Sequence, residues 1–396
     1  MKKFLFLVVI LGCTAAIECK GKNVAVTETD KIVTGAEQLD QYLPLLGGKK
    51  VGMMGNQTSI VGDKHLVDVL LENNVDLKFA FAPEHGFRGD VERGEKVDND
   101  FDAQTGLPLY SLYGRHGNNP DSIVASVDIM VFDIQDVGAR FYTYIASMHK
   151  VMELCAKNNK PLIVLDRPNP NGDQVDGPVR KDDKFKSGVS FHKIAMIHGL
   201  TIGELAQMIN GEGWLEEGKQ CELTVVLVKG YTHKTQYEIP VIPSPSLPTH
   251  LSIRLYMSLC LFEGTAINEG RGTDFPFEVY GYPDPSFGEF TYTPASLPGM
   301  AAHVTHQGEL CYGVVLRGLD PAKATFTLKY VLDAYHKVPD KFFTRPDFFD
   351  KLAGTDKLRE QIIAGMTEEQ IRDSWKEELA EYKAMRKKYL LYEDFE

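Results

Sequence analysis

The sequence predicts an α/β protein in which a Rossmann-like, doubly wound and mainly parallel sheet is followed by a smaller α+β domain. From residue 50 onward, short continuous apolar runs alternate with amphipathic segments. Such runs are typical of parallel strands that helices cover on both faces. The pattern changes where Pro240, Pro243, Pro245 and Pro248 fall within nine residues. Closely spaced prolines interrupt helices and central strands, so we place the domain junction there.

The individual elements follow from the same patterns. Strands are predicted over residues 51–54, 77–82, 129–134, 162–165 and 223–228 of the first domain and 312–316 of the second, and helices over residues 65–71, 144–157 and 252–262. Capping boxes at residues 201–204 and 367–370 mark the starts of two more helices. In the last one, Ile371, Trp375, Leu379 and Tyr382 recur at helical spacing, which predicts a core-facing stripe. Residues 275–298 are predicted to be an aromatic loop rich in proline and glycine.

Composition excludes several classes of protein. The chain has 43 basic and 55 acidic residues, a net charge of −12 over 396 residues, and 43% hydrophobic residues. This apolar fraction is that of ordinary globular proteins, and the acidic balance argues against nucleic acid as a partner. No glycine-rich phosphate-binding fingerprint follows the first strand, so we expect no nucleotide. We also expect no cofactor and no metal, because no fixed ligand spacing is present.

The first residues are typical of an export signal. Lys2 and Lys3 precede a short apolar run over residues 4–11, and Gly12-Cys13 resembles a lipoprotein cleavage site. Residues 14–16 offer an ordinary signal-peptidase site instead. We therefore expect a signal in residues 1–21, a catalytic domain in 22–242 and an auxiliary domain in 243–396. The protein would be periplasmic or held at the outer membrane by a lipid on Cys13.

Polar residues follow four successive predicted strands. In open α/β sheets, ligands bind beyond the carboxyl ends of the strands. Helix capping alone would supply serine, threonine, aspartate or asparagine, but not histidine, arginine and glutamate together. We therefore expect an active cleft formed by Asn56 after the first strand, Glu84, His85 and Arg88 after the second, Asp133, Asp136 and Arg140 after the third, and Asp166 and Arg167 after the fourth.

Glu84 is the candidate general acid. It lies in a tight loop after Pro83, where partial burial can raise the pKa of a carboxyl group. Alternatively, it caps the next helix or pairs with Arg88. Asp133 and Asp136 supply a second carboxylate or merely hold Arg140 and the following backbone, and His198 is a structural or a ligand-contacting histidine.

A second cluster lies beyond the junction. Glu263 precedes a glycine-flanked pair, Glu269 and Arg271, which suggests a loop that presents charged groups to a ligand. A surface salt bridge is the alternative. Seven aromatic residues follow, and they either stack on sugar rings or form a small aromatic core. They are Phe275, Phe277, Tyr280, Tyr282, Phe287, Phe290 and Tyr292.

Several motifs resemble those of the peptidoglycan exo-β-N-acetylmuramidase family, long catalogued as a domain of unknown function. They are PEHGFRG (83–89), TGLPLYSLYG (105–114), DIQDVGARFYTY (133–144), DRPNP (166–170), HGLTIGELA (198–206), PSP (243–245), EGT (263–265) and EGRGT (269–273). The resemblance extends from about residue 30 to the YLLY sequence at 389–392. It implies a glycoside hydrolase that releases β-1,4-linked N-acetylmuramic acid from the non-reducing ends of peptidoglycan fragments, with the site between a Rossmann-like domain and a smaller one.

The resemblance also assigns the catalytic acid to Glu84. The second catalytic group, which activates water or acts as the nucleophile, is not assigned. The candidates are Asp136, Asp133, Glu269 and the 2-acetamido group of the substrate. Arg88, Arg140 and Arg271 are the candidates to bind the lactyl carboxylate, because a guanidinium suits bidentate binding. A muropeptide-binding lipoprotein without catalytic activity, or a metal-dependent hydrolase that uses Glu84, His85, Asp166 and His198, are the competing hypotheses.

Overall fold

The structure is a computed structural model that describes residues 31–83, 87–88, 101–112, 119–297 and 304–396. Within these ranges, residues 32–396 form one compact unit. The predicted export signal, residues 1–21 with Cys13, lies outside the described residues. No helix in the described ranges is both long and apolar enough to cross a membrane.

The elements have the following bounds. The strands are β1 (Lys50–Gly55), β2 (Ile60–Val61), β3 (Lys64–His65), β4 (Asp76–Ala82), β5 (Leu109–Ser111), β6 (Ile129–Asp133), β7 (Leu162–Leu165), β8 (Leu223–Val226), β9 (Val279–Tyr282), β10 (Phe290–Tyr292) and β11 (Cys311–Val315). The helices are α1 (Leu39–Leu46), α2 (Leu66–Glu72), α3 (Pro120–Ala125), α4 (Tyr144–Asn158), α5 (Ile202–Gly211), α6 (His250–Leu259), α7 (Lys329–Lys337), α8 (Pro346–Ala353), α9 (Lys357–Ile363) and α10 (Glu368–Arg386). Short 3₁₀ helices include Cys260–Gly264, which continues α6.

The main sheet has six strands in the order β5-β4-β1-β6-β7-β8, and every neighbouring pair is parallel. By position along the chain this order is 3-2-1-4-5-6, the doubly wound arrangement in which the order reverses between the first and fourth strands. Those strands are β1 and β6, and Gly55 lies opposite Asp133 in their register. The carboxyl ends of β1 and β6 therefore lie side by side at the switch point. The predicted fold class is confirmed.

The central strands form because they are apolar throughout. All residues of β6 and β7 are buried, and in β1 only the first residue is exposed. Elements without a continuous apolar run or a clear helical periodicity were not predicted. Strand β5 has three residues, of which only Leu109 is buried, and α1 contains Pro44 in its interior. Proline inside a helix is disfavoured, so α1 has no clear helical pattern.

The smaller C-terminal part combines helices with a three-stranded antiparallel sheet of order β10-β11-β9. The prediction of a continuous loop over residues 275–298 is wrong, because β9 and β10 form there. These strands are four and three residues long, too short to stand out among prolines and glycines. In α10, by contrast, Ile371, Trp375 and Tyr382 are buried as predicted.

The C-terminal tail is bound to the main sheet through Tyr392. Its hydroxyl group donates to Asp166 Oδ2 at 2.6 Å and accepts from the amide of Val228 at 2.9 Å. The amide of Leu391 also donates to Glu204 Oε1 at 2.8 Å. Since Asp166 follows β7 and Val228 follows β8, one tyrosine joins the ends of two neighbouring strands to the last residues of the chain.

Arg88 joins two chain segments near the carboxyl end of β4. Its guanidinium donates to both oxygens of Asp68, on α2, at 2.8 Å, and to Asp102 at 2.6 and 2.8 Å. The hydrogen bond from Arg88 lowers the pKa of Asp68. Burial acts to raise the pKa of Asp102, but hydrogen bonds from Arg88 and Thr105 outweigh it and lower that pKa as well.

We predict that Tyr392→Phe lowers the free energy of unfolding by about 2 kcal/mol, because the buried Asp166 and the Val228 amide both lose a hydrogen-bond partner. Urea unfolding followed by circular dichroism measures the change. Tyr389→Phe is the matched control, since its hydroxyl bonds only the partly exposed Glu212, at 2.8 Å. Equal losses in the two variants would contradict the assigned role of Tyr392.

We predict that Arg88→Met lowers the free energy of unfolding by about 3 kcal/mol at pH 7, because two largely buried carboxylates lose their cation. The pKa values of Asp68 and Asp102 are lowered in the folded protein. Their stabilising contribution is therefore present above the unfolded pKa of about 4 and is lost as the pH falls below it. The difference between wild type and variant should shrink over that range in urea unfolding.

Lys64→Met provides the control for Arg88. Lys64, on β3, pairs with Glu72 at the end of α2, but their side chains are 57% and 55% exposed. Exposed pairs contribute roughly 0–1 kcal/mol, so this variant should have a small effect. A difference for Arg88→Met that does not change below pH 4 would contradict the ion-pair explanation.

Candidate active site

Hydrogen bonds join the chain segments that leave β1 and β6. Asn56, which follows β1, is fully buried, and its Oδ1 accepts from the amide and the hydroxyl group of Thr58 at 2.9 and 2.6 Å. The Thr58 hydroxyl accepts in turn from the amide of Gln135 at 3.0 Å. Ser59 Oγ donates to the carbonyl oxygen of Asp133. The residues predicted after the first and third strands of the chain therefore lie at one edge of the sheet.

Asp136 and His198 form a buried pair at this edge. Asp136 is 4% exposed, and its Oδ2 accepts from the Gly138 amide at 2.8 Å. His198 Nδ1 accepts from the amide of Leu200 at 3.2 Å, so a neutral ring carries its hydrogen on Nε2, which lies 3.2 Å from Asp136 Oδ2. Within the described residues, Asp136 Oδ1 has no hydrogen-bond partner. One oxygen of this carboxylate is thus fixed and the other is available.

Asp133 and Arg167 bind each other instead of facing a cleft. Arg167 Nε and Nη2 lie 2.5 and 2.9 Å from the two carboxylate oxygens of Asp133, and both side chains are buried. Arg167 also donates to the Ile60 carbonyl at 3.2 Å. The hypothesis that Asp133 and Asp136 hold Arg140 is wrong, because these carboxylates face Arg167 and His198. Its second part, a bond to the following backbone, is confirmed for Asp136, which accepts from the Gly138 amide.

Asp166 is fully buried and accepts from several protein groups. Thr201 Oγ1 and the Gly203 amide lie 2.7 and 2.8 Å from its oxygens, and the Tyr392 hydroxyl also contacts it. Burial raises the pKa of Asp166 to about 6, and these three hydrogen bonds act in the opposite direction. A contact between Asp166 and substrate stays a prediction, because it would require these partners to move.

The three candidate arginines differ in accessibility. Arg140 is fully buried and donates to the carbonyl oxygens of Pro178, Ile194 and Leu352 at 2.8, 2.8 and 3.0 Å. Burial and the charge of Arg180 lower its pKa to about 9. Arg88 is held by two aspartates. A role for either in binding a substrate carboxylate would require these bonds to break.

Arg271 is the arginine of the second cluster. Its Nη2 donates to Glu263 Oε1 at 2.6 Å, its Nε lies 3.3 Å from Glu269 Oε1, and its guanidinium stacks 5.2 Å from the Phe277 ring centre. Burial acts to lower the pKa of Arg271, but Glu263 and Glu269 raise it above its usual value. Gly270 adopts a positive φ of 82°, where a side chain would be strained. The predicted grouping of Glu263, Glu269 and Arg271 is present.

Aromatic rings connect the two clusters. Tyr142 and Tyr256 have ring centres 6.1 Å apart, and Tyr256 lies 5.0 Å from Phe277, on which Arg271 stacks. Burial raises the pKa of Tyr142 well above its usual value, and the charges of neighbouring groups, Asp136 among them, add to the effect. These rings form a packed line from Tyr142 to Arg271. Of the seven aromatic residues after Arg271, Phe277, Tyr280, Phe287 and Tyr292 are buried in a core.

The proline-rich junction covers this region. The carbonyl oxygen of Pro243 accepts from Tyr142 at 2.9 Å, from Gln57 Nε2 at 3.1 Å and from Tyr144 at 3.5 Å. Sequence reasoning did not assign these three side chains a role. The proline cluster could have indicated them. It predicts a segment without regular secondary structure, and the backbone carbonyl oxygens of such a segment must accept hydrogen bonds from side chains.

Glu84 and His85 lie outside the described residues. Pro83, directly before them, follows β4, which pairs with β1 so that Phe81 lies opposite Met54. Over the ranges that the structure describes, no group of three or more histidine, cysteine, aspartate or glutamate side chains is arranged to hold a metal ion.

Two comparisons at the sequence level cover nearly the whole chain. Residues 51–251 match the N-terminal domain, and residues 254–392 the C-terminal domain, of the family described as exo-β-N-acetylmuramidase NamZ. The chain is 39% identical over 401 residues to the peptidoglycan β-N-acetylmuramidase NamZ of Bacillus subtilis strain 168, and the alignment covers 96% of both proteins.

Solved structures agree with the sequence comparison. Two crystal structures of DUF1343 family proteins from Bacteroides fragilis match with TM-scores of 0.84 and 0.79 and sequence identities of 45% and 32%. Each match covers 92% of this chain, and 99% and 100% of the respective solved chain. The resemblance inferred from the motifs is confirmed. The chain belongs to the exo-β-N-acetylmuramidase NamZ family.

Proposed function

We propose that this protein is an exo-acting glycoside hydrolase that releases β-1,4-linked N-acetylmuramic acid from the non-reducing ends of peptidoglycan fragments. The observation that carries the proposal is the 39% identity to the Bacillus subtilis peptidoglycan β-N-acetylmuramidase over 96% of both chains. The site is consistent with this chemistry, because acidic side chains collect at the sheet edge where doubly wound folds bind ligands. Hydrolysis of a glycosidic bond needs a proton donor and a second group that stabilises the transition state or activates water.

Glu84 supplies the proton in this proposal. It comes two residues after β4, whose carboxyl end lies beside that of β1. Asp136 supplies the second carboxylate. Three observations support this assignment. The side chain is buried, its Oδ2 accepts from the Gly138 amide and lies near His198, and its Oδ1 has no partner among the described residues. Glu269 is the less suited candidate, because the Arg271 guanidinium lies beside it.

Arg271 binds the lactyl carboxylate of the muramic acid residue in this proposal. Among the three predicted arginines, Arg140 is fully buried and Arg88 is engaged by two aspartates. The Arg271 side chain is 14% exposed, and the packed rings of Phe277, Tyr256 and Tyr142 extend from it toward the segment that follows β6. A guanidinium presents five N–H donors, so it can bind a substrate carboxylate in addition to Glu263.

The proposal includes export. The basic residues Lys2 and Lys3 and the apolar run over residues 4–11 support a signal, and Gly12-Cys13 supports acylation of Cys13. A substrate derived from peptidoglycan lies outside the cytoplasm. We therefore propose a periplasmic or outer-membrane-anchored protein that takes part in cell-wall turnover.

We predict that Glu84→Gln reduces hydrolysis of N-acetylmuraminyl-β-1,4-N-acetylglucosamine by at least about 100-fold, because an amide cannot act as a general acid. The loss should be smaller with a 4-nitrophenyl N-acetylmuraminide, whose leaving group needs less protonation. Steady-state rates on both substrates test this. Glu72→Gln, on the exposed end of α2, is the control and should retain activity. Near-normal rates for Glu84→Gln on the disaccharide would remove it from the acid role.

We predict that Asp136→Asn lowers kcat by about 100- to 1,000-fold while KM changes little, because the amide retains the shape of the side chain but not its charge. Asp128→Asn is the matched control, since Asp128 is exposed and accepts only from the Lys50 amide at 2.8 Å. A melting temperature for Asp136→Asn close to that of wild type establishes folding. Retained kcat in the folded variant would exclude Asp136 as the second carboxylate.

A further inference from the structure

Several buried polar atoms around the switch point have no protein partner. Among the described residues, they include Asn56 Nδ2, Gln57 Oε1 and Ser246 Oγ, in addition to Asp136 Oδ1. Asn56 and Ser246 are 0% and 2% exposed. A buried polar group without a hydrogen bond costs about 1–3 kcal/mol, so such a set is expected to meet a ligand or water.

Hydrogen bonds join these residues into one region. Asn56 and Gln57 are consecutive, and Gln57 Nε2 donates to the carbonyl oxygen of Pro243. That carbonyl also accepts from Tyr142, whose pKa responds to the charge of Asp136. Ser246 belongs to the same junction segment, where its amide donates to Ser244 Oγ at 3.3 Å. Gln57 from the sheet edge and Tyr142 from the segment after β6 thus meet the junction at the Pro243 carbonyl oxygen.

The orientation of both side-chain amides is determined by their neighbours. Asn56 Oδ1 accepts from the Thr58 amide, and an amide N–H can only donate, so the group that remains on Asn56 is the donor Nδ2. Gln57 Nε2 faces two carbonyl oxygens, those of Pro243 and Ile242, and carbonyl oxygens only accept. The group that remains on Gln57 is therefore the acceptor Oε1. One donor and one acceptor stand on adjacent residues.

We propose that Asn56 and Gln57 bind the 2-acetamido group of the sugar: Asn56 Nδ2 donates to its carbonyl oxygen, and Gln57 Oε1 accepts from its N–H. An acetamido group is a planar, uncharged unit that presents one acceptor and one donor, which complements this pair. The inference rests on the proposed function and names the residues that make it selective for an N-acetylated sugar.

Asn56→Asp tests the proposal with little change in shape. The oxygen that accepts from Thr58 is kept, while the unpartnered donor becomes an acceptor and can no longer bind the acetamido carbonyl. We expect the affinity for N-acetylmuramic acid to fall on the order of 100-fold. Muramic acid, which carries an ammonium group at the same carbon, should bind no more weakly than to wild type. Isothermal titration of the full chain with the two sugars measures both affinities.

Two further variants keep the test decisive. Gln57→Leu removes the acceptor from a half-buried side chain and should weaken the binding of both sugars about 10-fold, because the nitrogen of either sugar can donate to Oε1. Asn210→Asp is the control, because among the described residues the Asn210 side-chain amide bonds the carbonyl and amide groups of Cys221, at 2.7 and 2.9 Å. It should leave the ratio of the two affinities unchanged.

The outcomes separate this inference from the function on which it rests. Wild type that neither binds N-acetylmuramic acid nor hydrolyses its glycosides would overturn the proposed function. Wild type that hydrolyses the disaccharide but binds both sugars equally would overturn the inference alone. Parallel losses for both sugars in Asn56→Asp would do the same, since they indicate a structural role, and so would unchanged N-acetylmuramic acid binding in Gln57→Leu.

Discussion

The parallel pairing of β1 with β6 is the constraint on which the rest of the site depends. Gly55 and Asp133 lie opposite each other in this pairing, so the chain leaves both strands at the same level of the sheet. The hydroxyl groups of Thr58 and Ser59 then join the two departing segments to each other. Because the strand order reverses here, the connections on either side diverge and leave a crevice at this edge. Asn56, Gln57 and Asp136 all belong to the segments that leave these two strands.

Most charged side chains at this edge are paired with other groups of the protein. Asp133 is neutralised by Arg167, Asp166 accepts from Thr201, Gly203 and Tyr392, and Arg88 is engaged by two aspartates. Burying an ion without such partners is costly, which explains why these pairs are complete. Asp136 differs, because one of its oxygens has no partner among the described residues although the side chain is almost fully buried. Such an arrangement is typical of a functional group rather than of a structural one.

The fold was predictable where one residue pattern determines one structure. The buried strands β1, β6 and β7 are continuous apolar runs, and the capping boxes ahead of α5 and α10 are local in sequence. Short strands such as β9 and β10 escaped prediction because their pairing with β11 depends on contacts distant in sequence. The polar residues near the site were found from strand ends, but their partners were not. Whether an arginine meets aspartates, as Arg88 does, or backbone carbonyls, as Arg140 does, is decided by tertiary packing.

The groups proposed for catalysis are carboxyl groups, whereas those proposed to recognise the acetamido group are neutral amides. This difference has a chemical reason. A general acid must keep its proton near the working pH, and any further charge within a few ångströms would shift its pKa. Amide side chains read a substrate by hydrogen bonds without adding charge. Selectivity through Asn56 and Gln57 can thus be strict while the electrostatics that govern Glu84 and Asp136 are left unchanged. The carboxylate of the substrate does need a cation, for which we propose Arg271, and Glu263 and Glu269 already balance that charge.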